Sequence, residues 1–473
     1  MRIRYLYLFF FSLLFSSHLF LGAQNEQPFL ERHWEGVLHP TESDSLRIGL
    51  TLFYCNDTLV KAELDSPDQY VYGIEASSVK IQNDTLKVVI KKLRAHFIGT
   101  LDDKGGYQGV FVQNFRRMAL NLLPINFRFQ IKRPQEPHEP YPYQVTELNI
   151  PDLEGKPLIN GTLTYPEEDL KGIIILITGS GWQDRDEAIM GHKPFKVIAD
   201  YLTRAGYAVY RYDDAEPLRF QKMTTLDFAE DVQTIVSYFK QQELHNQHPI
   251  GLLGHSEGGL VALIAAAENN EIDFIISLAG VGENFTQTLL YQAELYAKNE
   301  GLSDQEVEAT LEISSKIYKL ITKEKNPDKL GKKFDKLMAK YTKNMNDEEK
   351  KRLGLTPLEL YQKRSTLLSP WFMTIFKIDP ERYLKSLKVP FFALNGDKDT
   401  QVNGKTHLPV FEKYRKSSSL LSQVKLYPNL NHLFQECETG FLEEYGQIEQ
   451  TISPEVLEDM VQWLNLVCRE NKR

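Results

Sequence analysis

A chain of 473 residues is too long for one compact core and implies two or three domains at roughly 150 residues each. Its 42% hydrophobic and 25% charged residues are ordinary for a soluble globular protein. A net charge of −9 argues against nucleic acid as a partner, because phosphate binding needs a basic face.

The first residues have the pattern of a targeting segment. Arg2 and Arg4 precede an apolar run from Tyr5 to Leu21, and Leu21-Gly22-Ala23 offers small residues for cleavage. Residues 1–23 are therefore expected to be a signal peptide, with the mature chain exported to the periplasm or beyond. A permanent N-terminal anchor is the alternative, since the run is near the lower length limit for spanning a bilayer. No later stretch is apolar for long enough, so no transmembrane segment is expected after cleavage. The three cysteines, Cys55, Cys437 and Cys468, do not make a disulfide framework. Cys437 and Cys468 lie in the same C-terminal region, where pairing after export is an option, but free thiols are expected. Nothing resembles zinc-ligand spacing, so neither metal nor cofactor is expected.

From Trp34 to about Ile131 the chain is a series of short alternating strands, such as Leu46–Tyr54, Thr85–Lys91, His96–Leu101 and Tyr107–Val112. Asn83-Asp84 and Lys104-Gly105-Gly106 mark turns between them. Residues 24–131 are thus expected to form a small antiparallel β-barrel or sandwich. Residues 132–142 hold four prolines, a density neither sheet nor helix tolerates, and are expected to be a semi-rigid linker.

Residues 143–473 then alternate strands and helices. Ile173-Ile174-Ile175-Leu176-Ile177 is the continuous apolar run of a strand buried on both faces. Helical patterns over Lys196–Ala205, Leu226–Phe239 and Gly259–Ala267 interleave with strands at Ala208–Tyr212, Ile250–Leu253 and Phe274–Leu278. Such alternation predicts a mostly parallel, doubly wound α/β sheet. It stops at Gly280, and from about residue 283 to 383 the sequence is helical and strongly charged. Ser303-Asp304-Gln305-Glu306 is a capping-box start there. An insertion of that size is expected to be a helical lid. Strands at Val389–Leu394 and Val424–Tyr427 resume the sheet, and Pro454–Val467 closes it with a helix.

The chemistry centres on Gly254-His255-Ser256-Glu257-Gly258. The pattern G-x-S-x-G is weak alone, but here it follows an apolar strand and opens a helix, the context of a nucleophile elbow. A serine hydroxyl needs a base, and in this arrangement an acid and then a histidine follow the serine in the chain. His432, in a loop after the last strand, is the expected base. His407 precedes that strand and comes too soon after the acid candidates. Asn395-Gly396-Asp397-Lys398-Asp399 supplies two carboxylates, of which Asp399 is preferred and Asp397 is better placed to cap the turn. The oxyanion is expected to meet the backbone amides of Glu257 and of Ser180, in the loop Thr178-Gly179-Ser180-Gly181-Trp182. Gly181, Trp182, Trp371 and Phe372 are candidates for lining a substrate pocket, with loop structure and lid packing as the alternatives. Arg185, in the charge-dense loop after Trp182, fits a carboxylate clamp equally well.

These motifs, with Gln183-Asp184-Arg185-Asp186-Glu187, His192-Lys193-Pro194-Phe195, Arg211-Tyr212-Asp213-Asp214 and Asn431-His432, resemble bacterial α/β-hydrolase esterases related to the prolyl-oligopeptidase-like and serine aminopeptidase-like hydrolases. The resemblance covers most of Tyr143–Arg473 and implies carboxylesterase activity with Ser256, Asp399 and His432 as a triad. Its substrate would be a small ester. A peptidase acting on short peptides uses the same triad, and a catalytically silent binding protein is the alternative of another class. One departure is Ala215-Glu216-Pro217-Leu218-Arg219-Phe220, where relatives carry an arginine and a glycine-rich loop.

Overall fold

The computed structural model describes residues 30–470, apart from 41–43, 57, 70, 130–131, 152–156, 168 and 243–246. The expected signal peptide lies outside the described residues. The chain divides into two compact units, one built mainly from residues before 134 and one mainly from residues after it.

The first unit is a nine-stranded sheet running from Leu30–Leu38 to Arg116–Ile125, with every neighbouring pair antiparallel. Alternation decides its inner face. Ile48, Leu50 and Leu52 of one strand and Leu86, Val88 and Ile90 of another enter a single core with Trp34, Phe97 and Phe111. The strand Ser78–Gln82 at one end of the order lies against Thr58–Ser66, near the other end, so the sheet curls around this core. The shape is that of a barrel rather than of two stacked sheets.

The second unit holds eight strands: β1 (Gln144–Pro151), β2 (Pro157–Tyr165), β3 (Gly172–Ile177), β4 (Tyr207–Tyr212), β5 (Ile250–His255), β6 (Phe274–Leu278), β7 (Phe391–Gly396) and β8 (Gln423–Tyr427). Their spatial order is β1-β2-β4-β3-β5-β6-β7-β8. The β1–β2 and β2–β4 pairs are antiparallel, and the remaining pairs are parallel. In β3, Ile173, Ile175 and Ile177 enter one core while Ile174 and Leu176 enter another. Both faces are therefore covered, which is why the run is apolar throughout. Helices Thr225–Gln241, Glu257–Glu268 and Gly404–Ser418 pack on the first face, and Pro194–Arg204 with Pro454–Glu470 on the second.

Residues 132–142 form neither helix nor strand. From Pro134 onward they are tied to the second unit: the Gln135 amide donates to the Ile452 carbonyl at 2.7 Å, and Glu136 pairs with Lys193 and Lys196.

Between β6 and β7 stand seven helices, from Phe285–Asn299 to Pro380–Ser386. Their starts follow local chemistry. Ser303 and Glu306 form a reciprocal capping box, as do Thr356 and Glu359. Proline opens Pro327–Tyr341, Pro357–Leu367, Pro370–Ile375 and Pro380–Ser386, where its missing N–H is no loss. These helices share their own apolar core around Ile321, Leu330, Phe334 and Leu367. All three cysteines are free. Among the described residues no helix is long and apolar enough to cross a membrane.

Candidate active site

Ser256 sits between β5 and the helix Glu257–Glu268 with φ 55° and ψ −119°, a backbone conformation disfavoured for a residue bearing a Cβ. Its neighbours explain how the strain is held. A Cβ on Gly254 would stand 2.0 Å from the Gly258 carbonyl oxygen, and one on Gly258 would stand 2.1 Å from that of Ile177. Only glycine at both positions lets β5, the helix and β3 cross this closely. The Ser256 N–H donates to the Leu278 carbonyl at 2.8 Å, fixing the turn against β6.

The other predicted residues arrive from the carboxyl ends of β7 and β8. Asp399 and His432 are buried, and Asp399 Oδ2 lies 2.7 Å from His432 Nδ1. Asp399 Oδ1 accepts from the N–H groups of Gln401 and Val402, each at 2.8 Å. That carboxylate is therefore anchored before it meets the imidazole, and it selects the tautomer with hydrogen on Nδ1. Asp397 serves the backbone instead. Its Oδ1 accepts from Asn429 N–H at 2.7 Å and ties the β7 loop to the one carrying the histidine. Asn431 stiffens that second loop, its Oδ1 accepting from Leu433 and Gln435. His432 is also held through its own carbonyl, which accepts from His255 Nε2 at 3.0 Å, and the two rings lie 4.7 Å apart. The residue before Ser256 thus touches the expected base directly.

The loop after β3 also reaches the serine. A Cβ on Gly179 would lie 3.2 Å from Ser256 Cβ, so this loop borders the serine. Gly179 N–H donates to Glu187 Oε1 at 2.8 Å, and the Ser180 hydroxyl donates to Glu257 Oε2 at 2.7 Å. Among the described residues no acceptor meets the backbone N–H of Ser180 or of Glu257. Two unpaired amides beside the serine suit a developing oxyanion.

Glu257 itself is a buried carboxylate with three donors: Ser180, the Thr225 hydroxyl at 2.7 Å and the Trp371 indole N–H at 2.7 Å. Burial pushes its pKa up, and the three hydrogen bonds oppose that shift. Trp371 thereby joins the helical insertion to the elbow. Tyr291 does the same for the acid, donating to the Asp399 carbonyl at 2.9 Å.

A cleft open to solvent lies beside the elbow. Ile177, Gly181, Tyr212, Phe228 and Val261 line it together with Asp214 and Glu257. Burial drives the Asp214 pKa well above the usual carboxylate range. Of the four residues expected to shape a pocket, Gly181 lines this cleft. Trp182 instead donates its indole N–H to the Ala215 carbonyl at 3.0 Å, and Trp371 is engaged with Glu257. Phe372 is buried among Phe285, Phe376 and Trp371 inside the insertion. Arg185 is a clamp: it grips Asp213 through Nε at 3.1 Å and Nη2 at 2.6 Å, and reaches Glu147 and Thr162 through Nη1. In the departing segment Glu216 caps the short helix Pro217–Phe220, and Arg219 pairs with Asp231.

Two functional contacts are not visible in the sequence, those of Glu187 and His255. Glu187 is one polar residue among five in Gln183–Glu187, and His255 occupies a variable position of the elbow pattern.

Residues 192–299 match the family model described as serine aminopeptidase, S33. That match agrees with the strand order and the strained serine turn. The chain has the α/β-hydrolase fold and is an enzyme of the serine-hydrolase kind. The hydrolase is 24% identical over 392 residues to esterase EstD of Thermotoga maritima, covering 81% of this chain and 79% of that one. Among solved structures, the Pyrococcus furiosus esterase Pf2001 superposes with a TM-score of 0.41 at 15% identity, over 72% of this chain and 100% of that one. Dienelactone hydrolase from Anabaena variabilis gives 0.38 at 15% identity, over 69% and 99%.

Proposed function

We propose that the hydrolase cleaves carboxylic esters through an acyl-enzyme on Ser256. His432 keeps its Nδ1–H on Asp399, so Nε2 carries the lone pair that takes the serine proton. Attack on the ester carbonyl puts negative charge on its oxygen, which the amides of Glu257 and Ser180 receive. His432 then returns the proton to the departing alcohol, and a water molecule repeats the cycle to release the acid. The carrying observation is the 2.7 Å Asp399–His432 contact on a loop bonded to the residue preceding the strained serine. An esterase among the relatives favours esters. The family description favours a second reading, peptidase action on short peptides. In either case the helical insertion acts as a lid, because Trp371 and Tyr291 reach from it to both sides of the site.

A fluorescent alkylphosphonate is expected to label the wild type and to leave Ser256→Ala unlabelled. With aryl esters of varied acyl length, kcat of that variant should fall about 10⁶-fold. Aminoacyl anilides assayed in parallel separate the readings: turnover of the anilides and none of the esters overturns ester specificity. A folded wild type that resists the phosphonate overturns the triad.

A further inference from the structure

His255 is buried with both ring nitrogens facing oxygens. Nε2 faces the carbonyl of His432 at 3.0 Å, and a carbonyl only accepts, so Nε2 carries hydrogen. Nδ1 faces Glu187 Oε1 at 2.9 Å. A neutral ring would aim a lone pair at a carboxylate there, whereas an imidazolium donates to it. The same Oε1 accepts from Gly179 N–H at 2.8 Å, and Glu187 Oε2 is buried without a partner among the described residues. One carboxylate oxygen therefore joins the oxyanion loop to the elbow, and the ring it holds joins the elbow to the loop of the base. Three loops that are distant in sequence meet through two side chains.

We infer that Glu187 and His255 form a buried carboxylate–imidazolium pair that positions His432 and the oxyanion loop around Ser256. Neither touches the reacting atoms, so both are positioning residues, and the inference rests on the triad reading above. Burial alone would drive the His255 pKa down, but the Glu187 carboxylate, with the His432 carbonyl and Asp399, outweighs it and the net shift is upward. The charged or titratable groups facing the ring are Glu187, the His432 ring and, further off, Asp399. Glu187 holds φ 51°, an unfavourable backbone angle that the Gly179 and His255 contacts oppose.

The test has two arms. In the first, protein with ¹⁵N-labelled histidine rings is examined by NMR at pH 8. A doubly protonated ring signal that disappears in His255→Gln is expected, and a neutral His255 ring overturns the pair. In the second, ester kinetics and phosphonate labelling are compared for the wild type, His255→Phe, His255→Gln and Glu187→Gln. His255→Phe should lose about 10²-fold in kcat, the scale of a small misplacement of a catalytic group, with KM changed by less than about threefold. His255→Gln keeps an amide donor for the His432 carbonyl and should recover part of the loss. Glu187→Gln should fall between the two. Variants that match the wild type in kcat, while the wild type is labelled, overturn this inference alone. A wild type that is folded but unlabelled removes the triad reading and this inference with it. Should His255→Phe fail to fold, the NMR arm and Glu187→Gln still decide.

Discussion

The loops around Ser256 and the helical segment Phe285–Ser386 belong to one unit but are held by opposite means. Around the serine the buried side chains are polar: Glu187, His255, Glu257, Asn395, Asp399, Asn431, His432 and Gln435. Each is bonded to a different element or loop position. In the insertion the buried side chains are mostly apolar, and charged groups such as Glu312 and Lys316 pair on the surface. Apolar packing is non-directional and fixes a helix only to the extent that area is buried. Hydrogen bonds between buried groups fix atoms, at the risk of a large penalty when one partner is lost. Placing reacting atoms needs the second kind of order, and holding a packed helical insertion together needs only the first.

The largest effect outside Ser256, Asp399 and His432 should come from Glu257, because its carboxylate serves three buried donors. Glu257→Ala leaves the Trp371 N–H and two hydroxyls without their acceptor and should cost about 2–4 kcal/mol of unfolding free energy. Glu257→Gln should behave otherwise. Its carbonyl oxygen can keep Trp371 and Thr225, while its NH₂ donates to a Ser180 hydroxyl turned to accept. The substitution also removes a charge that burial disfavours. Because the folded-state pKa of Glu257 is raised, its ionisation erodes stability as pH rises from the ordinary carboxylate value through the shifted one. Glu257→Gln should therefore be at least as stable as the wild type at pH 7. Urea unfolding of both variants checks this. Equal losses in both would break the contrast, since charge rather than bond accounting would then govern the site.

Much of this contrast can be read from the sequence. The apolar run Ile173–Ile177, the elbow and the capping boxes are short-range patterns, and short-range patterns dictate strands, turns and helix starts. The contact between Asp399 and His432 is legible because chain order in this fold restricts the choice, and Asp397 takes the turn-holding role for which its position suits it. β1 and β2 escape such reading: Gln144–Pro151 is mostly exposed, and a strand with little apolar alternation leaves no period to detect. The roles of Glu187 and His255 escape it for another reason. They meet each other across 68 residues of chain, and His255 bonds to His432 across 177, so nothing local to either residue encodes that partner. Phe372 stands out as an aromatic in an apolar run, but such a run reports burial without saying on which side of a helix the cleft lies.

The junction between the two regions offers a pH-dependent test of intermediate size. Where the chain leaves β6 for the insertion, the N–H groups of Gly282 and Glu283 donate to His407 Nδ1 at 2.9 and 3.2 Å. An Nδ1 that accepts must be unprotonated, and burial pushes the His407 pKa down to about 4. The other groups near its ring are Thr288, Glu283 and, more distantly, Asp399. Since the folded value lies below the unfolded 6.5, the unfolded chain binds the proton first. The contribution of His407 is complete above about pH 6.5 and is lost as pH falls toward 4, by roughly 3 kcal/mol. His407→Asn keeps an acceptor and removes the titration. The difference in unfolding free energy between wild type and variant should narrow from about pH 7 to about pH 4.5. Parallel curves would show that the buried polar network does not extend to the root of the insertion.

The smallest effect belongs to the surface of the insertion. Glu312 and Lys316 pair one turn apart on the helix Asp304–Lys323, with the acid nearer the N-terminus, the favourable order. Their side chains are 61% and 51% exposed, so water screens the pair and each side chain gives up rotamer freedom to form it. Lys316→Ala should change unfolding free energy by no more than about 0.5 kcal/mol, a loss that alanine's higher helix propensity partly offsets. Ester turnover should stay at the wild-type value, because the pair lies on the solvent side of a helix whose inner face carries Val307, Ile313, Ile317 and Ile321. A measurable fall in kcat from this substitution would mean that surface charge on the insertion is transmitted through Trp371 or Tyr291 to the elbow, and the division between a packed insertion and a bonded site would have to be redrawn.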